Sequence, residues 1–364
     1  MVRRKLQKAN TVLLFCFLII VGLYYGSSFL IPLTFAIFFA TLVFPVSNFM
    51  EKKWNMGRVV SSFLSTLLLF IGIGLLIFFL FRQLGVFLND LIDRKDDILG
   101  YLNSMQVELM ESTGFTVEQQ ENMIKEKMAS ILQGIQGFIT GLLGGITGIL
   151  GNFFLVLIYV LLLLINRDKF VDFIMKYISG ENKEEAREIM QQTRKVAHKY
   201  LWGRIQVMTL LGIMYTITFL AYDLEHAGLL IIFGVIITII PYIGPLLSGI
   251  LPILFMIIFG GSSLEIISFS ILVIIIQLIE SYVLEPVIIG SEVQQSPLFV
   301  IIAIILGGAL WGAAGLILFV PIFGILKIIF DHSRELKPLG FLIGYERPGA
   351  GEDFFEKIKE KLKN

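Results

Sequence analysis

The chain has 364 residues, 56% of them apolar, and 34 Gly raise the apolar-plus-glycine share to about 65%, well above the roughly 45–50% of soluble domains. The 29 Lys and Arg balance 29 Asp and Glu, and charged residues make up only 16%, which excludes the concentrated basic footprint of a nucleic-acid-binding surface. A lone Cys16 excludes a disulfide framework, while His198, His226 and His332 lie far apart with no HExxH spacing, and no GxxxxGKS or GxxxxGKT loop occurs, so zinc chemistry and an intrinsic ATP motor have no support. A polytopic all-α membrane protein is expected, powered by ions or a concentration gradient and needing no cofactor.

A membrane-crossing helix needs about 20 apolar residues. Residues 9 to 50 carry no charge and turn at Gly26-Ser27-Ser28, with Pro32 just inside the next helix, which predicts two spans joined as a hairpin. The start resembles a signal peptide, with Arg3, Arg4 and Lys5 ahead of an apolar run, but no small-residue cleavage site follows, so it reads as an uncleaved anchor. Residues 59 to 81 form a third span and close a first block, 1–82.

The polar stretch 83–127 is helical by pattern, with Ile98, Leu102, Met105 and Leu109 on one face. Past Gly114, Thr116-x-x-Gln119 is a capping-box start for a helix carrying Val117, Ile124, Met128, Ile131 and Ile135. An extracytoplasmic helical arm over 83–135 is expected. Glycines 134, 137, 141, 144, 148 and 151 then repeat at alternating spacings of three and four, a stripe that suits close helix packing or a subunit interface. The apolar end of 136–166 is span four. Residues 167–200 predict a cytoplasmic amphipathic helix through Ala186, Ile189, Met190, Thr193, Val196, Ala197 and Tyr200.

Span five, from about 201 to 222, opens a membrane core over 201–330. Residues 226 to 264 are uncharged, yet 39 residues in one helix would be about 58 Å long. In the middle stands Pro241-Tyr242-Ile243-Gly244-Pro245, which removes two backbone donors and disfavours helix before each proline. The halves 228–240 and 246–259 are each about 20 Å if helical, so the pair is a broken span or a re-entrant hairpin. Residues 266–290 form the next span, interrupted late by Glu280, Glu285 and Pro286, and 293–326, with Gly307, Gly308, Gly312, Gly315 and Pro321, forms the last. A charged tail, 331–364, follows.

Lys and Arg favour the cytoplasmic side of short loops. With about eight spans and both termini cytoplasmic, the inner segments (1–10, 51–58, 167–200, 327–364) hold 23 of the 29 basic residues, and the outer ones (83–127, 223–225, 280–292) hold four basic and 14 acidic residues. The division puts both termini on the cytoplasmic side and an acidic surface outside.

Irregular backbone at membrane depth is tolerated where protein or a water-filled cavity satisfies it, and secondary transporters place binding sites there. Pro241, Tyr242, Gly244 and Pro245 are therefore candidate ligand-binding positions, weighed against a purely structural kink. Gln277 and Glu280 share a helix face at i, i+3 and join them, since an ionisable group near hydrocarbon marks ion paths. Glu285 reads as an ordinary interfacial acid and Arg204 as a snorkelling residue near the inner face. Hinge or packing roles are expected for Gly137, Gly141, Gly144, Gly148, Pro286, Gly290, Gly307, Gly308, Gly312, Gly315 and Pro321.

The order of these motifs resembles the autoinducer-2 exporter family of bacterial membrane proteins, the PerM-like permeases. The likeness runs from Ile240-Pro241-Tyr242-Ile243-Gly244-Pro245 with Gly249 and Pro252, through Gln277-Leu-Ile-Glu280, Pro286, Gly290 and Pro297. It ends with Gly307-Gly308-Ala-Leu-Trp-Gly312-Ala-Ala-Gly315 and Val320-Pro321. Tyr282 stands where the family often has Asn. The resemblance implies a homo-oligomeric permease with an extracytoplasmic helical arm, not an enzyme; the leading expectation is export of a small polar solute, such as autoinducer-2, by alternating access with a coupling proton or sodium ion. Sodium or lithium/proton antiport is the alternative; a structural protein acting through the outer arm is another.

Overall fold

The computed structural model describes residues 2–93, 146–178, 183–259, 261–289, 295–333 and 335–344, with isolated positions between 134 and 141. Apart from short turns and one isolated bridge between Gln295 and Gly344, these residues are helical, as expected for backbone in lipid, where every amide must be bonded within its own segment. The helices are α1 (Val2–Tyr25), α2 (Ser27–Lys53), α3 (Arg58–Asp93), α4 (Ile146–Ile165), α5 (Arg167–Tyr177), α6 (Lys183–Ala221), α7 (Ala227–Ile237), α8 (Ile243–Ile258), α9 (Ser263–Ile279), α10 (Pro297–His332) and α11 (Lys337–Ile343), with a π-helical segment, Glu280–Ile289, extending α9. The predicted arm falls outside the described residues over 94–133.

Five described helices are long and apolar enough to cross a membrane: α2, α3, α6, α9 with its π-helical extension, and α10. The other three of the expected eight spans fall on shorter apolar helices: Leu13–Tyr25 within α1, Gly151–Ile165 within α4, and α7 with α8. The amphipathic segment before 200 and span five are one continuous helix, α6, with no break at 200/201. The last predicted span, α10, is folded on itself. In a straight helix Gly307 and Gly315 would lie about 12 Å apart, but here a Cβ on either glycine would collide with the backbone of the other. The reversal is at Gly312, whose φ 58° and ψ −138° leave the helical region for one that only glycine adopts readily.

The chain groups into two compact units built from separated stretches, Met1–Thr41 with Asn166–Leu201 and Gly290–Asn364, and Leu42–Ile165 with Trp202–Ile289. In the first, Trp311 packs edge-on against Phe319 at 5.2 Å and its indole N–H donates to the Leu23 carbonyl of α1 at 2.9 Å. Phe38, Ala303 and Leu318 are buried in the same core. Gly308 lies against Leu316 and Pro321 is buried in the second arm of α10. The α11 helix closes on α10, with the Ser296 amide donating to the Ile343 carbonyl at 2.9 Å.

In the second unit, α3 and α4 meet where Phe70 packs edge-on to Phe153 at 4.6 Å. Helices α7 and α8 form an antiparallel hairpin: His226 faces Phe259 near its open end, and Gly234 faces Ser248 near its tip. The membrane half of α6 runs antiparallel to α9, because Gly203 meets Ile289, Arg204 meets Glu285, Tyr215 meets Gln277 and Phe219 meets Phe269. A capping box at Ser262, whose amide donates to Glu265 Oε2 at 2.8 Å, starts α9. The hairpin therefore leaves and returns at the same end of this helix pair. Arg204 and Glu285, expected near opposite faces, therefore lie at one level of this helix pair.

Candidate functional site

The hairpin tip follows from its prolines. Helix α7 ends at Ile237, and the next amides are taken up locally: Ile239 and Ile240 donate to Ile236 and Ile237, and Gly244 donates to Ile240 at 2.8 Å. Tyr242 sits at φ 63° and ψ −49°, with the Ile243 amide donating to the Pro241 carbonyl at 2.7 Å, a γ-turn of the rare and strained kind. Gly244 is required by space, because a Cβ there would enter the Ile237 carbonyl and the Thr238 backbone. Pro245 accepts at its carbonyl from Ser248 Oγ at 3.2 Å. These amides of the break are bonded within it, so its chemistry lies in side chains.

Those side chains converge where α6, α8 and α9 meet. Tyr215 is fully buried, stacks on Phe219 at 4.9 Å and donates its hydroxyl to the Ser248 carbonyl at 3.2 Å. Gln277 Nε2 donates to the Tyr215 hydroxyl oxygen and, at 3.0 Å, to Ser248 Oγ. Gln277 Oε1 is buried without a partner among the described residues. Gly249 clears the space for the amide, its Cβ position lying 3.3 Å from Gln277 Cγ. A buried acceptor left open at the end of a hydrogen-bonded chain is costly, and it is the part of the cluster able to receive a donor from a ligand.

One turn further along, Glu280 is fully buried, and neither carboxylate oxygen has a hydrogen-bond partner among the described residues. Arg204, expected to snorkel, is also buried and pairs through Nη1 with Glu285. Arg204 is close enough to Glu280 to interact electrostatically, and Tyr242, itself exposed, interacts in the same way with Glu285. The α-to-π transition at Glu280 sets this geometry. Five residues apart on an α-helix, 280 and 285 would point about 140° apart, whereas i→i+5 bonding turns them toward a common face. Pro286 lies within the π segment, where it withholds one amide from the ladder.

Sequence reasoning placed Gln277 and Glu280 together but missed Tyr215 and Ser248, and it assigned Arg204 and Glu285 to opposite membrane faces. What joins them is the antiparallel register of α6 against α9, which neither segment carries in its own sequence. Gly137 and Gly141 are exposed, with no atom within 4 Å of a Cβ. Gly144 and Gly290 fall outside the described residues, and Gly148 belongs to α4. An open groove of about 410 Å³ lined by Leu76, Met208, Gly212, Thr216, Ile231 and Val235 is almost wholly apolar and lacks groups to hold a polar solute.

Comparison with known proteins bears on this arrangement. Residues 13–335 match the model of the AI-2E family transporters. Among curated relatives, the putative transport protein YrrI of Bacillus subtilis is 24% identical over 84% of this chain and 87% of its own. YueF of the same organism, also a putative transport protein, is 27% identical over 83% of this chain and 87% of its own. The AI-2 transport protein TqsA of Escherichia coli is 24% identical over 90% and 92% respectively.

Proposed function

The chain belongs to the AI-2E family of transporters, and from that premise we propose that it is a secondary transporter exporting a small polar solute, with autoinducer-2 as the first candidate, across the bacterial cytoplasmic membrane. The observation that carries this reading is the polar chain Gln277–Tyr215–Ser248, set among apolar helices beside a strained, proline-bracketed hairpin tip. A polar network at membrane depth marks a solute or ion path. In this reading α7 and α8 are a re-entrant hairpin, Gln277 Oε1 receives a solute hydroxyl, and Pro241, Tyr242, Gly244 and Pro245 shape the entrance. Alternating access comes from one group of helices moving against another, with Gly312 and the π segment as hinges.

Purified protein in liposomes loaded with autoinducer-2 or related polyhydroxylated solutes is expected to give saturable efflux. Gln277→Leu, which removes the open acceptor and both donated bonds, is expected to lower that efflux at least tenfold. No flux of any solute under a proton or sodium gradient would sink the proposal. Exchange of sodium or lithium for protons is the second reading, favoured by the buried Glu280. It predicts sodium-dependent dequenching of a pH dye in inverted vesicles without any organic solute.

A further inference from the structure

Arg204, Glu280 and Glu285 bring one cation and two carboxylates together in the second unit. Fully ionised, the three carry a net negative charge, which is expensive at membrane depth; one added proton makes them neutral. The hydrogen bonding is incomplete in a matching way. Among the described residues, Glu280 has two unfilled buried acceptors and Arg204 two unfilled buried donors, Nε and Nη2, while Arg204 Nη1 engages Glu285. The two carboxylates differ in access: Glu280 is 0% exposed, whereas the Glu285 side chain is 35% exposed.

We propose that Arg204, Glu280 and Glu285 form a one-proton relay, in which a single exchangeable proton sits on whichever carboxylate the guanidinium is not neutralising. With Arg204 on Glu285, as in this structure, the proton is on Glu280. When the guanidinium swings to Glu280, an O–H bond breaks there and one forms at Glu285, with total charge, proton count and oxidation state unchanged. The exchange carries a proton between an occluded carboxyl and an accessible one, which is what coupling to a gradient requires. The π-helical turn is the device that lets one guanidinium reach both acids. Among the described residues, Tyr215 of α6 also interacts electrostatically with Glu280, and Tyr242 of the hairpin tip with Glu285.

A metal cation fits this cluster less well, since hard cations take about six oxygen ligands, and among the described residues the unpartnered buried oxygens at the cluster are those of Glu280 and Gln277. The relay rests on the transport reading for its purpose, but the protonation is measurable with no solute present.

Infrared difference spectroscopy of the full chain in lipid at neutral pH tests it through the carboxylic-acid carbonyl band that shifts in deuterated water. Wild type is expected to show the equivalent of one such group that disappears in Glu280→Gln, where Arg204 stays on Glu285. Glu285→Gln is expected to lose it too, because the freed guanidinium moves to Glu280 and ionises it. Arg204→Gln is expected to roughly double the band, and Arg204→Lys to preserve it; if the Arg204 variants do not fold, the two glutamate variants decide. A band of wild-type size in Glu285→Gln, or no Glu280-dependent band in wild type, overturns the relay. Solute efflux without the band would leave the proposed function standing, and the band without efflux would do the reverse.

Discussion

At Tyr242 a side-chain-bearing residue occupies backbone that glycine would fill without strain, while two residues later Gly244 occupies a space that admits no side chain. The two positions should answer oppositely to substitution. Tyr242→Gly is expected to raise stability by about 1 kcal/mol, the lower end of the cost of a residue held outside its allowed region. Gly244→Ala is expected to lower it by about 1–3 kcal/mol through overpacking against fixed backbone. Thermal unfolding in one detergent checks both, and a Gly244→Ala protein as stable as wild type would contradict the tip geometry. Strain retained at an exposed tyrosine beside Glu285 is what a functional position looks like, so Tyr242→Gly should also be the more stable and less active protein.

The same contrast between space and torsion governs α10. A Cβ at Gly312 would meet no atom within 4 Å, yet its φ of 58° disfavours any L-residue; at Gly307 and Gly315 the torsions are ordinary and the space is gone. Gly312→Ala is expected to cost about 1–3 kcal/mol in backbone strain. Gly315→Ala must instead push the two arms apart. With Trp54 and Trp202 replaced by Phe, the fluorescence of Trp311 reports the second event, because its indole is packed on Phe319 and bonded to Leu23. Gly315→Ala is expected to shift that emission to the red, and an unmoved spectrum would rule out the close crossing. At this scale the sequence was half legible. The dense glycines announced close packing, but two arms meeting across Gly312 and one straight, glycine-faced helix have the same composition. The 3.6-residue periodicity that marks helices cannot register one reversed residue.

For the whole molecule, the antiparallel pairing of α6 with α9 makes a topological claim: the chain enters and leaves the α7–α8 hairpin at one end of the pair. In a Cys16→Ser background, Asp223→Cys and Ser263→Cys should therefore react with a membrane-impermeant maleimide from the same side of sealed vesicles. Labelling from opposite sides would restore a hairpin that crosses the membrane. In that register Glu285 is the partner of Arg204 rather than an isolated interfacial acid.

Composition and pattern alone determined that this chain is helical and membrane-embedded, that it breaks at Pro241–Pro245 and that Gln277 and Glu280 share a polar face. Those properties are local: the length of an apolar run, a missing amide at proline and an i, i+3 spacing are all properties of neighbours in the chain. Tertiary structure alone decided that Tyr215 and Ser248 complete the hydrogen-bonded chain, that α10 folds back at Gly312 and that Arg204 pairs with Glu285. Each of these depends on residues tens of positions apart or on one torsion angle. The π-helical turn at Glu280 belongs with them, because no spacing of residues within the helix records it.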